Sequence, residues 1–351
     1  MIPCDLSRFP WCKCGLLVWP QGITLCQLSL SLSLSLPSVP PGQQHSVLAG
    51  MSVSACLVPL PTKEEHMLWA ERVKPHLPHS VTIHNNLVQH GLGLVCHDTF
   101  YVLRDRPHSV TVLCRKEISP HTQHVGIFCL KEEVDTLVEV LRSSPVIDWE
   151  CTKRNHLVIH HIPPYAAEPL VRLLQERGLK VWLLTCFTFT YDAHLDHRTL
   201  RVAAGFRVCR LGRAGVRHLQ KNAKSDRIPI MERMAEGVPY IGVYQDPTST
   251  QEATVDPENL PVAGDEEIPV AWCCSKPSGD MGKLMTDERF RRRGFGKLLT
   301  ATLARRQAAL GFIPHAFVEE DTSASKVMFD NSPDWSVTHE NIWIIECQEP
   351  L

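Results

Sequence analysis

Apolar residues follow two periods along this chain, 3.6 and 2, and segments of the two kinds alternate. Thr62-Lys63-Glu64-Glu65 has the capping-box pattern and opens a helix that stops near Pro75. Strands are expected at 100–103, 110–114 and 125–129, where β-branched and aromatic residues concentrate. Val134, Leu137, Val138 and Leu141 form an i, i+3, i+4, i+7 stripe, so 132–141 reads as a helix. A strand at 156–160, a helix over about 167–177 stopped by Gly178, and a long apolar strand at 181–190 follow.

The same alternation resumes after Thr199. Strands are expected at 206–211 and 239–244, and helices at 213–223 and 228–235. Residues 245–267 hold seven acids, three prolines and no Lys or Arg, and read as a solvated, mobile loop. Strands at 268–275 and 281–285 make a hairpin around Lys276-Pro277-Ser278-Gly279-Asp280. A helix at 296–310 carries Leu298, Leu299, Leu303 and Leu310 near helical spacing, with Gly311 as its stop. A strand at 315–318, a helix from Thr322 and a last strand at 341–345 close the chain. No sequence repeat of 20–50 residues is evident.

The alternation predicts a layered α/β domain over 51–198 and a second unit over 199–351. A length of 351 residues supports about two domains. Residues 1–50 differ from both: Leu28 to Leu36 alternates Leu and Ser strictly, and Pro37, Pro40, Pro41 and Gly42 follow. A two-base nucleotide repeat would encode that alternation. The expectation is a disordered, low-complexity extension, with Met51 a plausible start. A signal peptide is the rival, but Pro20, Gln21 and Gln27 interrupt its apolar run.

Composition narrows the function classes. An apolar fraction of 44% supports sizeable cores, and a net charge of −2 argues against a general nucleic-acid or membrane-surface binder. The segment 15–36 is too polar for a membrane span. Fourteen cysteines without a C-x-x-C pair read as buried thiols in a reducing compartment. His194-Leu195-Asp196-His197 and His160-His161 lack partners at zinc-site spacing, so no metal is expected.

The most informative stretch is Arg291-Arg292-Arg293-Gly294-Phe295-Gly296-Lys297, between a predicted strand and a predicted helix. Strand, glycine turn and helix N-terminus make an anion site, because free N–H groups and the positive end of the helix dipole converge there. Glycine lets the backbone approach a phosphate, and arginines suit a pyrophosphate. A dinucleotide fingerprint would need glycine where Leu299 stands, and a P-loop would need four residues where Phe295 alone separates the glycines. The pattern R-x-x-G-x-G resembles the acyl-CoA pyrophosphate loop of the GNAT superfamily of N-acyltransferases.

A longer resemblance surrounds it. Pro269-Val270-Ala271-Trp272, Ser278-Gly279-Asp280-Met281 and Thr286-Asp287-Glu288-Arg289-Phe290-Arg291-Arg292-Arg293-Gly294 resemble the P-V-S-W strand, G-E-M turn and T-L-P-E-Y-R-x-x-G run of the glycine N-acyltransferase family. Phe100-Tyr101-Val102, Cys114-Arg115 and Val146-Ile147-Asp148-Trp149 resemble that family's first domain more loosely.

The resemblance implies a GNAT fold in the C-terminal half, a mixed, splayed α/β sheet flanked by helices, preceded by the N-terminal α/β domain. It implies an acyl-CoA cosubstrate held by Met285, Thr286 and the turn from Arg291 to Lys297, and glycine or a similar small amine as acceptor. It also implies a mitochondrial setting, with the cytoplasm as alternative. An α-amino group is mostly protonated at neutral pH and needs a base. The family gives that role to the Glu of its G-E-M turn, and Asp280 stands at the matching position, one methylene shorter. Ser-Gly-Asp is equally a favoured hairpin turn.

Backbone N–H groups of 281–285 are the candidate donors to the thioester oxyanion. Many GNATs place a Tyr on the helix after 315–318, but this segment has Phe329 near the expected place, with Ser325 a possible substitute donor. Trp272 suits either an acyl-channel wall or core packing. The rival readings are a GNAT-fold CoA-binding protein with little turnover, an acetyltransferase of polyamines or protein N-termini, and an interaction protein using its acidic loop.

Overall fold

The computed structural model describes residues 56–95, 98–104, 106, 108–116, 122–150, 156–222, 237–320 and 323–347. The expected extension at 1–50, the helix at 228–235 and Thr322 lie outside the described residues.

The first half runs β1 (Leu57–Leu60), α1 (Lys63–Val73), α2 (Val81–Gly91), β2 (Asp98–Leu103), β3 (Val112–Lys116), β4 (Thr122–Phe128), α3 (Val134–Ser143), β5 (His156–Ile162), α4 (Pro164–Glu176) and β6 (Val181–Tyr191). After a short β7 (Arg201–Val202) come β8 (Phe206–Arg210), α5 (Arg213–Asn222), β9 (Tyr240–Gln245), a short β10 (Ala253–Thr254), β11 (Ala271–Ser275), β12 (Met281–Thr286), α6 (Phe295–Ala309), β13 (His315–Glu319), α7 (Ser323–Asp330) and β14 (Trp335–Glu346).

Among the described residues, twelve strands form one sheet in the order β1-β2-β3-β4-β5-β14-β6-β13-β12-β11-β9-β8. That order reads the same from either edge. β1 to β4 pair antiparallel and β4–β5 parallel; β8, β9, β11 and β12 pair antiparallel and β12–β13 parallel. The chain is therefore one arrangement built twice. The last strand of each arrangement crosses to the other: β14 lies against β5, β6 lies against β13, and the two pair with each other over eleven residues. The duplication is seen in the strand order and pairing.

Burial follows the pleat. Val112 and Cys114 face the core under α1 and α2, while Leu113 between them faces the core under α3 and α4. Leu137, Leu141, Leu170 and Leu173 of α3 and α4 are almost fully buried, each worth about 1.5–3 kcal/mol. Phe295, Leu299 and Leu303 of α6 pack over the second half. The capping box at Thr62 is present, with Glu65 N–H donating to Thr62 Oγ1 at 3.2 Å and Thr62 N–H to Glu65 Oε2 at 3.0 Å.

Three elements depart from the pattern reading. α2 has no amphipathic stripe, because it is buried almost all round, His84, Asn85, Asn86, Gln89 and His90 included. β14 begins at Trp335, six residues before the expected start, since Ser336, Thr338, His339 and Glu340 form a polar, partly exposed first stretch. The acidic segment at 245–267 is folded against the molecule: β10 pairs with β7, Val255 and Ala263 are buried, and Glu267 salt-bridges Arg207.

Candidate active site

β12 and β13 are neighbours, yet a single pair, Met281 with Ala316, joins them. Past that pair the strands part. β12 carries a bulge there: Lys283 and Leu284 stand opposite the one residue Cys273, and Lys283 has φ 55. A left-handed residue with a Cβ costs about 1–2 kcal/mol. The parting leaves main-chain groups of β12 beyond Met281 without a strand partner on the β13 side.

A cavity of about 270 Å³ occupies the gap. Gly282, Lys283 and Leu284 of β12 face Phe317 and Val318 of β13 across it, and Thr300, Ser325 and Phe329 close it from α6 and α7. Lys276 and Ser278 of the hairpin line one end. The first half lines it as well, with Lys116, His124, His160 and His161. The pattern reading found none of these four as site residues. Only the His160-His161 pair stands out in sequence, where it lacks zinc-site partners and reads as ordinary histidines. Among the described residues no group of three His, Cys, Asp or Glu is disposed to hold a metal ion.

The matching position in the first half is shut. β4 and β5 are zipped by five consecutive pairs, from Thr122–His156 to Gly126–His160. The loop before α3 is Cys129-Leu130-Lys131-Glu132-Glu133, with no glycine or arginine. Glu133 Oε2 accepts there from Thr111 Oγ1 at 2.9 Å.

In the second half the turn is open. Gly294 caps α6 with φ 80, and a Cβ there would meet nothing within 4 Å, so its glycine is needed for conformation alone. Gly296 sits between Leu284 of β12, which lines the cavity, and Met328 of α7, so the first turn of α6 stands over the mouth of the gap. Arg291, Arg292, Arg293, Gly294 and Lys297 are exposed. They stand outside the cavity walls, at the surface end of β12.

The arginines differ. Arg291 Nε donates to the Thr286 carbonyl at 3.2 Å and pairs with Glu288 at 3.4 Å. Arg293 lies over Phe290 and Phe206, 5.5 and 5.7 Å from the ring centres. Arg292, with φ 62, has no ion pair or hydrogen bond among the described residues. Lys297 Nζ donates to the Asn331 carbonyl at 3.0 Å. Met285 is 44% exposed beside the turn.

Asp280 lies behind the cavity wall. Its side chain is fully buried, with Oδ2 2.5 Å from Lys276 Nζ and Oδ1 accepting from the Ser278 hydroxyl. Lys276 and Ser278 line the cavity and Asp280 does not. Trp272 packs in the core against His218, at 5.0 Å between ring centres, and does not wall the cavity. Phe329 lines the cavity and stacks on Phe189 at 5.1 Å, so a carbon ring stands where a Tyr donor was sought.

Known proteins match this architecture. The family model described as FR47-like protein matches residues 262–338, which include the hairpin, the turn, α6, β13 and α7. No curated protein sequence matches the chain. A Drosophila protein of known structure shares the fold with a TM-score of 0.65 at 16% identity, over 83% of this chain and 98% of that one. A GCN5-related N-acetyltransferase from Sphaerobacter thermophilus aligns with a TM-score of 0.48 at 11% identity, over 86% of this chain and 98% of its own. A tandem GNAT protein from the clavulanic acid biosynthesis pathway aligns with a TM-score of 0.47 at 12% identity, over 85% of this chain and all of its own. Residues 262–338, which build the gap and the turn, match the FR47-like model, and most of the chain shares its fold with the Drosophila protein.

Proposed function

We propose that the chain is an acyl-CoA-dependent N-acyltransferase that moves the acyl group from CoA sulfur to the amino group of glycine or a similar small amine. The observation that carries this reading is the parted pair β12–β13, with the glycine–arginine turn standing over its mouth. The free N–H groups at the start of α6, with Arg291 and Arg292, suit the pyrophosphate. The parted backbone of β12 suits the pantetheine arm and the thioester oxygen. The amine nitrogen then forms a bond to the acyl carbon while the carbon–sulfur bond breaks, and CoA leaves as its thiol.

Asp280 enters as the anchor of Lys276 and Ser278, which present an ammonium and a hydroxyl to the cavity. Support for glycine or a related acceptor comes from the sequence likeness over 269–294. The test is thiol release by the purified full chain, incubated with panels of acyl-CoA and amines. Amine-dependent release with glycine or a relative supports the reading. CoA binding without release would make the chain a CoA-binding protein, and release only with polyamines or peptides would move the acceptor class.

A further inference from the structure

The cavity wall opposite β12 carries a second bulge, on β5. Between the pairs Ile159–Ile344 and Ile162–Ile342, β5 has two residues, His160 and His161, where β14 has one, Trp343. His161 has φ 59. A regular strand sends consecutive side chains to opposite faces. Here the bulge and the left-handed residue turn both imidazoles onto one cavity, their ring centres 4.6 Å apart. A strained residue persists only where its surroundings over-determine it, and such residues concentrate at functional sites. His161 stacks on Phe317 with ring centres 4.1 Å apart, one residue past Ala316, where the gap begins. Its Nδ1 is buried and has no hydrogen-bond partner among the described residues.

We propose that the imidazole of His161 accepts a proton of the acceptor ammonium group before the nitrogen attacks the thioester, a role that rests on the acyltransferase reading above. The acceptor arrives as R–NH3+. One proton passes to the imidazole, the nitrogen lone pair forms the C–N bond, and the C–S electrons leave with sulfur. A second proton from the new amide nitrogen goes to the thiolate, and the imidazolium returns its proton to water. The products are amide, CoA thiol and one proton.

The surroundings keep this imidazole in its basic form. Lys276 of the hairpin, Lys116 of β3, His315 of β13 and the adjacent His160 face it, and His124 of β4 lies 5.9 Å from His160. Burial, then repulsion from these groups, holds His161 proton-free well below the usual histidine range. It is a weaker base than the amine, so the transfer is uphill and frees only a small share of the bound amine, which then attacks. Asp280, the other candidate, is already engaged by Lys276 and Ser278.

Two variants of the full chain test the role. His161→Asn keeps a residue type that tolerates positive φ, and His161→Phe keeps a ring on Phe317. Each is assayed for folding by circular dichroism, CoA affinity by calorimetry and amine-dependent thiol release across pH. The expected result is CoA affinity within twofold of wild type and turnover lowered about a hundredfold or more, the scale of general-base loss. In a third variant, His161→Ala, added imidazole should partly restore turnover in proportion to its free-base fraction. Turnover of a folded Asn or Phe variant within threefold of wild type at every pH would overturn the role. A wild-type chain that binds CoA but releases no thiol would overturn the acyltransferase reading and this role with it. A wild-type chain that ignores CoA would likewise sink the acyltransferase reading.

Discussion

Lys116 of β3 donates its ammonium to the main-chain carbonyl of Pro277 at 3.1 Å, so the first half of the chain grips the hairpin of the second. The same ammonium bonds Asn86 Oδ1 at 3.2 Å and pairs with Asp98 at 3.3 Å. Asn85 of α2 holds both main-chain groups of Ile313, ahead of β13, at 2.7 and 2.9 Å. One buried polar helix and one lysine thus fix both approaches to the cavity.

Removing the ammonium leaves the Asp98 carboxylate buried with His90 as its remaining charge partner, at 3.5 Å. Lys116→Met should cost about 3–5 kcal/mol in chemical denaturation near neutral pH. Burial alone would raise the Asp98 pKa, but Lys116 and His90 outweigh it and hold the carboxylate below its usual range. Burial lowers and Asp98 more than restores the Lys116 value, which ends above the usual lysine range. The Asp98 contribution is therefore complete above the ordinary carboxylate pKa and drains as pH falls through the folded value. The Lys116 contribution is complete below the ordinary lysine pKa and is lost as pH rises through the raised one. The gap between wild type and Lys116→Met should narrow toward acid. A gap independent of pH would contradict the pairing.

Gly279 has φ 78, and a Cβ there would stand 2.6 Å from Asn85 Cβ. Gly279→Ala should therefore lower stability by about 1–3 kcal/mol and push the hairpin away from α2. Thermal unfolding measures the first effect. The second should lower turnover while leaving CoA affinity unchanged, because the turn before α6 is untouched.

How much of this was legible follows the physics of each element. Strands and helices with one apolar face, such as α3 and β6, showed in the pattern because one face meets the core and the other meets water. α2 did not, since it is buried on its polar sides too, where Asn85 and Asn86 bond partners far along the chain, Ile313 and Lys116. The turn from Arg291 to Lys297 was visible because its chemistry is local. The cavity wall was invisible for the opposite reason: His160, His161 and Lys116 reach it only through the exchange of β6 and β14, which no local spacing encodes. Asp280 was placed correctly in its hairpin, but its orientation behind Lys276 depends on tertiary packing.

The arginines should separate by what they touch. Arg292→Ala should weaken CoA binding by about 1–3 kcal/mol and leave unfolding unchanged, since that side chain has no intramolecular bond to lose. Arg291→Ala should weaken CoA binding on the same scale and also loosen the turn through the lost bond to Thr286. Calorimetry with CoA, paired with thermal unfolding, distinguishes the two. Unchanged affinity in both would remove the pyrophosphate from this turn.

Asp280→Asn should retain CoA affinity and lose about ten- to hundredfold in turnover through misplaced Lys276 and Ser278. The factor should be the same at every pH, because the carboxylate acts by position. A loss concentrated at acidic pH would make Asp280 the proton acceptor.

Amide hydrogen exchange of the full chain with and without CoA addresses the location of the cosubstrate directly. Protection is expected in β12 over 282–286 and at the start of α6 over 294–298, with β4 and the loop into α3, 122–134, unchanged. Protection at 122–134 with none in 282–298, or no protection anywhere at saturating CoA, would contradict the claim that the parted strands of the second half hold it.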